Sequence, residues 1–106
     1  MRRPRVEILY FEGCPNHEAA RELVEQVAAE IRVEPEIELV EVPDAAAATA
    51  LRFLGSPTVR VDGRDVEPGA EERGDFVFSC RVYRSERGLS GQPDASWVRK
   101  ALSEAA

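Results

Sequence analysis

The sequence predicts an α/β fold in which a βαβ unit is followed by a β-hairpin, giving a mixed four-stranded sheet with helices on both faces. The first half alternates strand-like and helix-like segments, which indicates parallel strands with helices packed on the sheet. The pair Asp62-Gly63 between two β-prone runs indicates a tight hairpin and therefore antiparallel pairing in the second half. The 106 residues suffice for one domain, residues 1–106, and are too few for two.

The first strand and the first helix meet at Gly13-Cys14-Pro15. Residues 5–11 are rich in β-branched and aromatic side chains and predict a strand. After them, apolar residues recur at helical spacing along one stripe, at Ala20, Leu23, Val24, Val27, Ala28 and Ile31. Proline is favoured at the first position of a helix because it lacks an N–H group. We therefore expect the helix to start at Pro15, with Cys14 at or next to its N-cap.

The second strand and helix are indicated by alternation and by capping residues. Residues 36–42 alternate apolar side chains with glutamates, which is typical of a strand. Asp44 is a favourable N-cap for an alanine-rich helix over residues 45–54. Gly55 is then expected to provide the C′ residue that ends this helix.

The last third of the chain is predicted as a hairpin, two loops and a final helix. Residues 67–75 and 84–93 are polar or glycine-containing and are expected to form surface loops. The segment 76–83 is apolar enough to pack against the body. Asp94 can cap a helix whose apolar stripe is Val98, Ala101, Leu102 and Ala105. Asp44, Asp62, Asp65 and the glutamate runs are interpreted as caps, turn residues and solvated faces. Arg81 could raise the thiolate character of a nearby cysteine, but it is interpreted as a solvated residue.

The charge balance excludes two classes of partner. Fourteen basic residues against 20 acidic residues give a net charge of −6, so nucleic acid and anionic membranes are both expected to be repelled. The apolar run near the start is too short and too charged for a secretory signal, and no run approaches the length of a membrane span. We therefore expect a cytoplasmic protein.

Two cysteines and one histidine limit the chemistry. Two cysteines cannot make a disulfide framework, and they are too few for a four-thiolate zinc site. No nucleotide-binding motif, Ser-His-Asp arrangement or paired-carboxylate motif is present, so no cofactor is expected. In a cytoplasmic protein, a cysteine is more often a reactive thiol or a core residue than part of a permanent cross-link.

Cys14 is the candidate nucleophile. Free N–H groups and the dipole at the start of a helix favour a thiolate, which is the form that attacks disulfides and binds soft metals. His17 lies one helical turn further on, and its imidazole could stabilise the thiolate or exchange protons with it. The alternatives are a buried structural cysteine and a solvated histidine.

Cys80 has two interpretations. If the segment that carries it folds back over the end of the sheet, Cys80 can form a disulfide with Cys14 and act as its resolving thiol. Alternatively, Phe76, Phe78, Cys80 and Val82 alternate as one face of an extended segment, and the thiol serves only in packing.

Two motifs give the chain a family resemblance. Gly13-Cys14-Pro15 between a strand and an amphipathic helix, with Gly55-Ser56-Pro57-Thr58 ahead of a hairpin, resembles the thioredoxin-like superfamily over about residues 5–66. As a whole, the chain is similar to small bacterial thioredoxin-like proteins, some labelled alkylmercury lyase-related. These share the Gly-Cys-Pro and Gly-Ser-Pro-Thr segments and a late Cys-Arg-Val-Tyr segment, which stands here at residues 80–83.

The resemblance implies a thiol–disulfide oxidoreductase with Cys14 as its nucleophile and a protein or low-molecular-weight thiol or disulfide as its substrate. It implies a cis-proline at Pro57, with Ser56, Pro57 and Thr58 contacting substrate through the backbone. The family's second motif cysteine is replaced by His17. Its tryptophan before the motif and the glutathione-binding Gly-Gly of glutaredoxins are also missing.

Two other functions remain open. The two thiols could bind a soft metal ion or an organomercurial without turnover. Alternatively, His17 in place of a second cysteine could mark a redox-inactive interaction module.

Overall fold

Four strands form one mixed sheet in the computed structural model, which describes residues 3–106. The strands are β1 (Arg5–Tyr10), β2 (Glu36–Glu41), β3 (Thr58–Val61) and β4 (Arg64–Asp65), and their order across the sheet is β2-β1-β3-β4. β1 pairs parallel to β2 and antiparallel to β3, and β3 pairs antiparallel to β4. The predicted α/β class and mixed four-stranded sheet are thereby confirmed.

Helices cover both faces of this sheet. Helices α1 (His17–Glu30) and α3 (Ala95–Ala105) pack in one cluster with Val6 and Ile8 of β1. Helix α2 (Ala45–Ala50) packs in a second cluster that contains Leu9. Neighbouring side chains of a strand point to opposite faces, so Ile8 and Leu9 mark the two faces. The apolar stripes predicted for the first and last helices both face the core.

Helix α1 begins later than the position of its proline suggests. Its N-cap is Asn16, so Pro15 lies before the helix and Cys14 lies in the preceding turn. Gly13, at φ 97°, allows the chain to reverse in this turn. The predicted start at Pro15 is therefore wrong by two residues, within the usual variation of helix ends.

Helix α2 ends at Ala50, four residues before the predicted end. Arg52 takes the left-handed conformation at φ 56° and is the C′ residue, the place assigned to Gly55 from the sequence. The N–H groups of Arg52 and Phe53 donate to the carbonyl oxygens of Thr49 and Ala48, which is a Schellman ending. The early end directs Phe53, which is 0% exposed, into the second core cluster.

The second half contains more regular structure than predicted. The expected turn is present, with Asp62 at φ 50° and Gly63 at φ 86°, both left-handed as a tight hairpin requires. The predicted loop over residues 84–93 instead contains a second hairpin formed by β5 (Tyr83–Ser85) and β6 (Gly88–Ser90). Asp94 caps α3 by accepting a hydrogen bond from the Ser96 N–H group. Among residues 3–106, no helix combines the length and the apolar character needed to cross a membrane.

Candidate functional site

Strand pairing brings the turn that carries Cys14 close to the loop before β3. In the antiparallel pair of β1 and β3, Leu9 lies opposite Thr58, so the last residues of β1 and the first residues of β3 lie at the same end of the sheet. The turn after β1 is closed by a hydrogen bond from the Cys14 N–H group to the Phe11 carbonyl oxygen. Cys14 is only 3% exposed. The Ser56-Pro57 peptide bond in the loop before β3 is cis, as the resemblance implies.

A segment distant in sequence crosses this loop and carries Cys80 to the same place. The Ser56 N–H group donates to the Ser79 carbonyl oxygen, and the Arg81 N–H group donates to the Ser56 carbonyl oxygen, each at 2.8 Å. These bonds form an isolated parallel bridge between Ser56 and Cys80. The Cys80 thiol lies close enough to Cys14 for the two side chains to interact electrostatically. The structure thus brings the two thiols together, and both are free.

Burial and the neighbouring Cys14 both act on the Cys80 thiol. Partial desolvation of the sulfur raises the pKa of the Cys80 thiol, and the nearby Cys14 side chain raises it further. The Cys80 thiol therefore keeps its proton to a higher pH than an ordinary cysteine thiol.

Exposure also separates the two thiols, since Cys14 is buried whereas Cys80 is exposed. On either side of Cys80, Phe78 and Val82 are 39% and 64% exposed. The alternating face that could have packed inward therefore faces solvent, and the interpretation of Cys80 as a packing residue is wrong. On the opposite face, Arg81 and Tyr83 are buried.

His17 contacts the backbone of the cysteine turn. Its ring stacks on Tyr10 at a centroid distance of 4.3 Å, and Nδ1 donates to the Cys14 carbonyl oxygen at 2.9 Å. Its Nε2 lies 3.3 Å from a carboxylate oxygen of Glu18. These contacts fix the position of the turn and direct one ring nitrogen at the carbonyl oxygen of Cys14.

The loop that the resemblance assigns to substrate contact is covered by the chain itself. Ser56 and Thr58 are both 0% exposed. Both backbone polar groups of Ser56 bond to residues 79–81, and the Tyr83 hydroxyl donates to the carbonyl oxygen of Pro57. The segment around Cys80 thus occupies the backbone groups that the resemblance assigns to a substrate.

A buried ion cluster fixes the position of this segment, and it was not predicted from the sequence. Arg81, interpreted as solvated, is 3% exposed. Its guanidinium donates to Asp65 at 2.7 and 3.2 Å, to Glu67 at 2.6 Å and to the Thr58 hydroxyl at 3.1 Å. The interpretation of Asp65 as solvated is also wrong, since its side chain is 5% exposed. One feature of the sequence could have indicated this cluster. Asp65 and Glu67 lie two residues apart, so their carboxylates can point to the same side of an extended segment.

Two further contacts fix the position of Arg81. Its guanidinium lies over the Tyr83 ring at 4.3 Å, a cation–π arrangement. Gly55, at φ +115°, lies so close that a Cβ atom there would be 2.8 Å from the Arg81 Cβ atom. Gly55 therefore permits the close approach of the loop before β3 and the segment that carries Cys80.

The side chains that could hold a metal are few. Within residues 3–106, no group of three or more His, Cys, Asp or Glu side chains is placed to hold a metal ion. The set Cys14, His17 and Cys80 thus does not assemble as a three-ligand centre. A scan against protein-family models and a search of curated proteins found no match to this chain.

Proposed function

We propose that this protein is a thioredoxin-like thiol–disulfide exchange protein whose redox centre is the pair Cys14 and Cys80. The observation that carries the proposal is the bridge between Ser56 and Cys80, which brings the second free thiol next to the turn of Cys14. Two neighbouring sulfurs can pass from dithiol to disulfide with little movement of the chain when the backbone fits the disulfide geometry. Cys80 takes the part of the second cysteine that the chain lacks at His17.

Cys14 lies where negative charge on a sulfur is favoured. It is in the turn just before α1, and the free N–H groups and the dipole at the start of a helix stabilise an anion. Exchange then follows ordinary thiol chemistry, in which a thiolate attacks a disulfide sulfur and expels the other sulfur as a thiolate. The partners are protein or low-molecular-weight thiols and disulfides in the cytoplasm, where a reducing pool can regenerate the dithiol.

An exchange assay tests this function. We expect the wild-type chain to accelerate the reduction of a protein disulfide, such as that of insulin, by dithiothreitol. Cys14→Ser and Cys80→Ser should each lose most of this acceleration, because a single protein thiol depends on dithiothreitol to resolve its mixed disulfide. Leu89→Ser, which changes an exposed apolar side chain outside the pair, serves as the control and should keep the wild-type rate. Full activity in either cysteine variant would contradict a two-cysteine mechanism.

Binding of a soft metal ion is a second candidate function, favoured by the same convergence of two sulfurs. Two thiolates without a third ligand suit a soft ion of low coordination number, such as Hg(II) or Cu(I). This function predicts one tight equivalent of Hg(II) in a titration of the reduced chain and loss of that site in both Cys14→Ser and Cys80→Ser. It also predicts no acceleration in the exchange assay, which separates it from the first proposal.

A further inference from the structure

The two sulfurs of the pair differ in their access to a substrate in solution. Cys14 is 3% exposed. Cys80 is exposed, on the segment that bridges to Ser56. A thiol must approach a disulfide sulfur closely and along the S–S axis, so access decides which sulfur it attacks.

We propose that substrate bonds to the exposed sulfur of Cys80. Cys14 is the internal partner, whose disulfide bond to Cys80 breaks when substrate bonds there and forms again when substrate is released. This inference rests on the proposed exchange function and reverses the order of attack that the Gly-Cys-Pro resemblance implies. It requires no opening of the segment that covers Ser56.

The bond changes can be written for the oxidised pair and an incoming thiolate. The thiolate of a protein or small-molecule thiol attacks the Cys80 sulfur, forming a mixed disulfide there. The bond between Cys80 and Cys14 breaks, and its electron pair leaves on the Cys14 sulfur as a thiolate. A second substrate thiolate then attacks the substrate sulfur of the mixed disulfide. The products are the substrate disulfide and Cys80 as a thiolate, which takes up one proton.

The electrostatics of the pair favour this direction of attack. A sulfur leaves faster the more readily it carries negative charge. The pKa of the Cys80 thiol is raised by desolvation and by Cys14, so Cys80 is a poorer leaving group than an ordinary cysteine. Attack on Cys14 would expel this sulfur, whereas attack on Cys80 expels Cys14, which lies just before the start of α1, where negative charge is favoured.

The surface around Cys80 also suits a substrate that presents apolar side chains. Phe78 and Val82 flank Cys80 and are exposed. The ring of Phe78 lies 5.1 Å from that of Phe11, the residue whose carbonyl oxygen closes the Cys14 turn. The exposed sulfur thus lies on a segment with exposed apolar side chains two residues before and two residues after it.

Single-cysteine variants test the assignment, because the sulfur that is attacked in the oxidised pair is the one that attacks in the reverse reaction. Reduced Cys14→Ser keeps only Cys80, and reduced Cys80→Ser keeps only Cys14. Each variant is reacted with an aromatic disulfide, and its rate is divided by the thiolate fraction from its own pH profile. We expect Cys80 to react about tenfold faster than Cys14, or more. In denaturant the two rates should become equal, which would assign the ratio to the fold.

Trapping in the wild-type chain completes the test. The oxidised chain is mixed with a thiol peptide, quenched with acid and mapped by mass spectrometry, and the mixed disulfide is expected on Cys80. A mixed disulfide on Cys14, or equal rates in the folded variants, would overturn the assignment and leave the exchange function intact. Failure of the wild-type chain to form any internal disulfide would overturn both.

Discussion

Replacing Arg81 with methionine is expected to lower the free energy of unfolding by about 3–5 kcal/mol, the usual cost of removing one partner of a buried ion pair. The variant leaves Asp65 without its cation in a position where the side chain is 5% exposed. Glu67, at 18% exposure, loses its 2.6 Å contact as well. Methionine is similar in length to arginine, so the change reports the lost charge and hydrogen bonds more than lost volume.

Arg73→Met is the matched control for Arg81→Met. Arg73 also pairs with two carboxylates, Asp75 and Glu67, but its side chain is 39% exposed. An exposed ion pair contributes about 0–1 kcal/mol, so this variant should be close to the wild type in stability. Both variants are measured by denaturant unfolding of the reduced protein. Similar stability losses in the two variants would contradict the assignment of the Arg81 cluster as the main anchor of the segment.

Gly55→Ala is expected to cost about 2–5 kcal/mol, from backbone strain and overpacking together. At φ +115°, the residue lies where L side chains are strained, and the new Cβ atom would lie 2.8 Å from the Cβ atom and 3.0 Å from the Cα atom of Arg81. These are backbone and Cβ atoms, which cannot rotate out of the way, so the segment that carries Arg81 must move away from Ser56. The variant should therefore also slow closure of the bond between Cys14 and Cys80.

Gly63→Ala separates the two contributions. Gly63 has φ +86° in the hairpin turn, and no atom lies within 4 Å of the Cβ position. Its substitution carries the backbone strain alone, about 1–2 kcal/mol, and should leave disulfide closure at the wild-type rate. Equal effects of the two substitutions on stability and on closure would mean that the contact between Gly55 and Arg81 does not position Cys80.

The local features of the fold could be predicted because short-range patterns determine them. The apolar stripe of α1, the capping of α3 by Asp94 and the hairpin at Asp62-Gly63 each depend on residues within a few positions of one another. The end of α2 could not be predicted in this way, since alanine suits a helix at every position and leaves no pattern that marks an end. The position at which α2 ends is determined instead by the burial of Phe53 in the core.

The arrangement of the candidate site depends on long-range contacts. An alternating apolar segment has the same pattern whether Phe78 and Cys80 face the core or the solvent, so both interpretations of Cys80 remained open. The inward face is determined by Arg81, which pairs with Asp65 across a long separation in the sequence. No local pattern marks such a pair, because charged residues are usually solvated. The place of Cys14 in a turn between a strand and a helix, by contrast, could be predicted from local patterns.

Peptide mapping by mass spectrometry tests most directly whether Cys14 and Cys80 form one reversible disulfide. The chain is equilibrated with glutathione disulfide, remaining thiols are blocked, and the digest is compared with and without reduction. We expect a monomer lighter by two hydrogens, with a single linkage between Cys14 and Cys80 that reduced glutathione reverses. Two blocked, unlinked cysteines after oxidation, or disulfides only between chains, would contradict this pairing.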